Sequence, residues 1–179
     1  MHQNTHFSAL SSAILLLAKG IDSYGYDSTE LFAKAGLDHS KLKDPLARFS
    51  FQGVTRLWAL ATDLIDDPCF GIGVASFWHP TTLHALGYSW LASNTLEEGF
   101  ERMSRYSRIV NTAARDVVKL LKTEDDYHLI LDPSKMKPQP LSVAIDSTLA
   151  MIMIMCRTAY GEDLRPIRVS LQHPKPECT

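Results

Sequence analysis

Residues His79–Thr112, HPTTLHALGYSWLASNTLEEGFERMSRYSRIVNT, constrain the fold of this chain more than any other stretch. From Thr81 to Ala92 the apolar residues Leu83, Leu86, Gly87, Trp90 and Leu91 recur at three- and four-residue spacing, the period of a helix with one buried stripe. Ser93-Asn94-Thr95 interrupts it. Asn94 or Thr95 suits the cap of a second helix, and Glu97 or Glu98 stands where a capping box needs its acid. That helix carries Leu96, Phe100, Met103 and Val110, with Tyr106 or Ser107, on its apolar side, and pairs Glu98 with Arg102 and Glu101 with Arg105 on the other. Two amphipathic helices so closely joined must pack on each other or on a shared core.

The remaining sequence supplies that core. With 179 residues, 45% of them apolar and 21% charged, the chain has the composition of one soluble domain. Phe7–Ile21, Ser28–Ala35 (capped by Asp27 and stopped by Gly36) and Gln52–Ile65 are predicted helices. Leu37–Leu42 has room for one further turn. Cys69–Phe77, with Gly71 and Gly73, fits a strand, a loop or a helix entry equally well. Asp116–Lys122 and Tyr127–Leu131, separated by Thr123-Glu124-Asp125-Asp126, read as a β-hairpin. Pro140 suits the first turn of a helix over Leu141–Tyr160, about 30 Å long. The LAMIMIMC half of that helix is apolar all round and belongs in the centre of the domain. Arg165–Gln172 alternates Ile167, Val169 and Leu171 with polar residues, as a half-buried strand does. The expected class is α+β: one domain over residues 1–179, a helix-rich layer on a small antiparallel sheet.

Several functions are disfavoured by the same residues. A net charge of −2 with eighteen scattered basic residues argues against this chain gripping DNA itself, since that affinity rests on Lys and Arg neutralising phosphates. Ser40–Leu46, with two Lys, is too short for a recognition helix. Cys69, Cys156 and Cys178 are odd in number and have no Cys-x-x-Cys spacing, so free thiols in a reducing cytoplasm are the expectation. Met1–His6 carries no Lys or Arg, unlike the start of a signal peptide. Leu149–Cys156, between Asp146 and Arg157, is too short to cross a membrane.

No catalytic, cofactor or metal pattern stands out. His79 and His84 are five apart, on different helix faces, with no ligand-like partner; a capping His79 and a core-edge His84 fit better. No serine sits in a G-x-S-x-G elbow. The G-x-G at Gly71 and Gly73 lacks the third glycine and the preceding strand of a nucleotide loop. Asp66/Asp67 and Asp125/Asp126 are turn formers. The aromatic and methionine residues are more informative. Each taken alone is ordinary core, but together they come from several elements, and apolar pockets with a few polar handles are built of this material. Tyr88, Trp90, Arg105, Tyr106, Met151 and Met155 are the candidate ligand-binding residues.

Pro80, Leu86–Tyr88, Leu91–Ser93, Thr95-Leu96 and Arg105-Tyr106 carry a resemblance to the N-terminal, "arabinose-binding" effector domain of AraC/XylS-type bacterial transcription regulators. It extends from about Ala18 to the end of the chain. The resemblance implies a cytoplasmic, non-enzymatic domain that senses a small-molecule effector and forms a homodimer. DNA would be bound through C-terminal helix-turn-helix subdomains that these residues do not contain, so the chain reads as a fragment of a longer protein. The alternative is an interaction module of the same fold with no ligand. An enzyme would need acid and base groups converging in a cleft.

Overall fold

A computed structural model describes residues 7–114 and 116–178. It contains seven α-helices and two separate antiparallel two-stranded sheets among those residues, an α+β domain in which two small sheets replace the expected single one. The first pairs β1 (Ser8–Leu10) with β2 (Arg48–Ser50), Ala9 opposite Phe49. Arg48 fastens it. Its guanidinium donates to Ser8 Oγ at 2.8 Å, to the Ser8 carbonyl at 3.0 Å and to the Ile109 carbonyl at 3.1 Å, clipping three distant segments together.

Helix α1 (Ser11–Ser23) buries Ile14, Leu17, Ala18 and Ile21. Helix α2 (Ser28–Ala35) begins where Asp27 accepts from the Thr29 amide, and ends at Gly36, whose φ of 72° only glycine adopts freely. A 3-10 turn follows at His39–Lys43. Helix α3 (Phe51–Leu64) is capped by Ser50 and buries Val54, Leu57 and Ala61. The ambiguous stretch after Pro68 is a short helix, α4 (Phe70–Ala75). Gly71 explains the choice: a side chain there would collide with the Val143 carbonyl. Gly71 thus marks a close approach of backbones, whereas a side-chain carbon at Gly73 would meet only the Tyr24 hydroxyl at 3.7 Å.

The organising helix pair is present with one break more than its period predicts. Pro80–Leu83 is a 3-10 turn capped by the His79 ring, and α5 spans Ala85–Leu91. Between them His84 adopts a φ of 51°, held by its Nε2–H donating to the Pro45 carbonyl at 3.1 Å. Helix α6 (Leu96–Tyr106) starts with Thr95 accepting from the Glu98 amide while the Glu98 carboxylate accepts from the Asn94 amide. Glu98 and Arg102 pair along it as the spacing predicts. Two 3-10 turns, Ser107–Ile109 and Thr112–Ala114, lead to the second sheet. There β3 (Val118–Lys122) and β4 (Tyr127–Leu131) form the expected hairpin, with Leu120 opposite Leu129.

Helix α7 (Ser142–Tyr160) packs along α4. At 19 residues with a mean hydropathy of 1.3 it reaches the length and apolarity of a membrane span. Its packing is that of a core helix instead, because Ile152, Met155 and Cys156 are buried in the main apolar cluster. That burial is narrower than the sequence suggests: Leu149, Ala150 and Met153 remain half-exposed.

Two sequence expectations are overturned. Arg165–Gln172 forms no strand; no neighbouring strand offers it backbone partners, and Ile167 is 94% exposed. The cysteines are not all free either. Cys69 and Cys178, 109 residues apart in sequence, are joined in a disulfide with their Cα atoms 5.6 Å apart. Sequence spacing carries no trace of such a contact. Cys156 alone is free, and it is buried as expected of a core thiol.

Candidate functional site

The centre of the domain is not filled. A cavity of about 250 Å³ lies between α1, α3, α7 and the segments that follow α6. Ala13, Ile14 and Leu17 of α1 form one wall, and Val54, Thr55 and Trp58 of α3 another. Ala144, Ile145, Ser147, Thr148, Met151 and Ile152 of α7 close the far side. Leu83, Leu86, Met103 and Val110 arrive from the organising helix pair and its exit. Amphipathic periodicity accounts for this arrangement: each helix turns its apolar stripe inward, and the stripes do not meet.

Among the described residues, no charged side chain lines the cavity. Of its polar groups, most are already engaged. Thr55 Oγ1 donates to the Phe51 carbonyl at 3.0 Å, Thr148 Oγ1 to the Ala144 carbonyl at 2.8 Å, and Ser107 Oγ to the Ala114 carbonyl at 3.3 Å. Asn111 Oδ1 accepts from the Ala113 amide at 2.9 Å. Among the described residues, Asn111 Nδ2 and the Ser147 hydroxyl make no hydrogen bond to the protein, which leaves both free to meet a guest. Such a lining suits an apolar body with one or two hydrogen-bonding points.

Outside the cavity lies an open cleft of about 570 Å³, lined by Glu101, Ser104, Arg105, Ser107, Arg108, Asp116 and Leu120. Ser107 belongs to both linings, so cleft and cavity meet at the end of α6. The cleft is mostly polar and charged, whereas the described lining of the cavity is mostly apolar.

The structure disperses the six candidate residues. Met151 lines the cavity and Arg105 the cleft. Trp90 and Met155 are buried next to each other: the Trp90 indole N–H donates to the Met155 carbonyl at 3.0 Å, and its ring meets Phe100 and Tyr160 edge-on. They form solid core beside the cavity and do not line it. Tyr88 and Tyr106 stand on the surface, 58% and 42% exposed. Sequence reasoning missed Ser107, Asn111, Ser147 and Thr148. Small polar residues inside apolar helices were the available signal, and Ser147 and Thr148 flank the methionine run of α7.

Among the described residues no group of His, Cys, Asp and Glu is placed to hold a metal ion.

The sequence profile of the arabinose-binding domain of AraC transcription regulators, an N-terminal domain, matches residues 25–179. The chain belongs to this family. No curated protein shows significant similarity to it. As a member of the AraC arabinose-binding family it is a ligand-binding regulatory domain of a transcription regulator, not a member of an enzyme family. In the parent regulator a DNA-binding partner domain accompanies it. The cavity is where the fold offers space to a ligand.

Proposed function

We propose that this domain senses a small, largely apolar or amphipathic molecule held in the central cavity, and passes its occupancy to a helix-turn-helix half that binds promoter DNA. The observation that carries this is an uncharged cavity walled by four parts of the fold. At roughly 24 cal/mol per Å³, an empty apolar space of this size costs on the order of 5 kcal/mol, which a guest of matching chemistry offsets. The volume lies near the lower end of small-molecule pockets and suits one ring or a medium-length alkyl chain. Arg105 and Arg108 in the cleft, together with Glu101 and Asp116, offer charged and polar partners to a polar end of such a molecule that emerges past Ser107.

A sugar fits less well. Arabinose presents a hydroxyl on nearly every carbon, and most hydroxyl and amide groups of the lining are already bonded to the backbone. Each buried sugar hydroxyl left without a partner would cost about 1–3 kcal/mol. Thermal-shift measurements across alkyl and aryl carboxylates, their neutral analogues and arabinose test the reading. Stabilisation by members of the apolar series and none by arabinose is expected; stabilisation by arabinose alone would overturn it.

The domain also dimerises in this reading, through the outer stripe of α7. Leu149, Ala150 and Met153 share that side of the helix and are half-exposed, an apolar seam without a partner in the monomer. Sedimentation of the chain should show a concentration-dependent dimer that Met153→Asp dissociates. The work is regulatory, non-enzymatic and cytoplasmic, where bacterial promoters are. This domain has no strong positive charge, so contact with DNA falls to the other half.

A further inference from the structure

Residues 161–178 follow α7 as a tail with neither helix nor strand. Among its apolar residues Leu164 packs against the main core, while Ile167 is 94% exposed and Val169 58%. Polar and covalent ties add to that contact. Arg157 Nε donates to the Leu164 carbonyl at 3.2 Å, and His173 Nε2 lies 2.8 Å from Asp146 Oδ1 on α7. The last tie is the Cys69–Cys178 disulfide, which fixes the far end of the tail beside the start of α4. Cys178 is exposed and Cys69 half-buried, whereas Cys156 is sealed in the core. The bonded pair is therefore open to thiol reagents, and the third cysteine is not.

We propose that the Cys69–Cys178 bond is a thiol-operated latch, closed by a disulfide oxidant and opened by cellular thiols of the glutathione or dithiol-protein class. A reductant thiolate attacks the exposed Cys178 sulfur. The Sγ–Sγ bond breaks, and Cys69 leaves as a thiolate that takes up a proton. A second reductant thiol then attacks the mixed disulfide and releases Cys178 as a thiol. Two reductant thiols become one disulfide, and the protein gains two thiols. Relocking by oxidised glutathione runs the same exchange in reverse.

Opening the latch leaves the tail with its noncovalent ties alone. The anchor point is also connected to the sensing body. Cys69 directly precedes α4, Gly71 of α4 abuts Val143 at the start of α7, and Val74 of α4 lines the cavity with α7. The latch does not require the cavity to bind anything, so its test is independent of the ligand.

The whole chain, equilibrated with oxidised glutathione, is denatured and alkylated with N-ethylmaleimide, and its mass is measured. One modified thiol, Cys156, is expected, and three after treatment with reduced glutathione. Limited trypsin digestion at Arg168, which precedes Val169, should then run on the order of tenfold faster in the reduced protein. Cys178→Ser should digest at the fast rate in either condition, and Cys156→Ser should keep the redox dependence. Three alkylated thiols in the oxidised sample, or equal tail cleavage in both redox states, would overturn the proposal.

Discussion

Trp90 shows how much one side chain can decide. It is 1% exposed, and its indole N–H satisfies the Met155 carbonyl, tying α5 to α7 through a hydrogen bond that spans 65 residues of sequence. Trp90→Phe would remove this bond, which the Met155 carbonyl accepts in addition to its helical one, and open a void. The loss should be about 2–4 kcal/mol, read as a fall in Tm of several degrees for a domain of this size. Asp132 makes a different kind of contribution. Its carboxylate accepts from the Ser134 hydroxyl and amide and pairs with Lys119 at 3.2 Å, and these contacts hold its pKa down at about 2 against an ordinary 3.8. A pKa lowered by folding stabilises the native state above the unfolded value, and that stabilisation disappears as pH falls through the folded one. Asp132→Asn should therefore lower Tm at about pH 6, and the gap to the unchanged protein should close between about pH 4 and pH 2. Cys156 complements them: burial pushes its thiol up to about 11, which keeps it out of thiol chemistry at neutral pH.

At the scale of elements, local chemistry in the sequence anticipates local structure well. Asp27 and Thr95 cap the helices they precede, Gly36 ends α2, and the Thr123–Asp126 turn closes the hairpin. These signals act over three or four residues, and nothing elsewhere overrides them. The failures all involve partners distant in sequence. The strand expected at Arg165–Gln172 has the right alternation but no neighbour. Cys69–Phe77, which the sequence left open between strand, loop and helix entry, is decided by α7, about seventy residues away. Gly71 tests that explanation. In a free helix Gly→Ala is worth up to about 1 kcal/mol in favour of Ala. Here the added methyl would meet the Val143 carbonyl, and Gly71→Ala should instead destabilise by roughly 1–3 kcal/mol. A Tm equal to or above that of the unchanged protein would show that α4 and α7 are less closely packed.

For the molecule as a whole, composition and pattern led to the α+β class and an apolar interior, but not to the empty part of that interior. Periodicity says which face of a helix turns inward. It does not say how far apart the inward faces stop, and that gap makes the cavity. Ranking large aromatic residues as ligand contacts therefore favoured good core formers such as Trp90, while the lining depends on small residues such as Ala13, Ala144 and Ser147. Ala144→Phe exploits this, since the new ring would occupy the space meant for a guest. A ligand at a hundred times its Kd adds about 2.7 kcal/mol to stability. The resulting Tm shift, about 5–10 °C here, should be lost in the variant, with its unliganded Tm unchanged or raised.

The place of α1 bears on how such a domain can be divided. The family match begins at residue 25, yet Ser11–Ser23 precede it, supply Ala13, Ile14 and Leu17 to the chamber, and bury Ile21 completely. A polypeptide cut at the border of sequence similarity would lack one side of the chamber and expose the opposite apolar surfaces to water. Homology, in this protein, starts later than the piece able to fold.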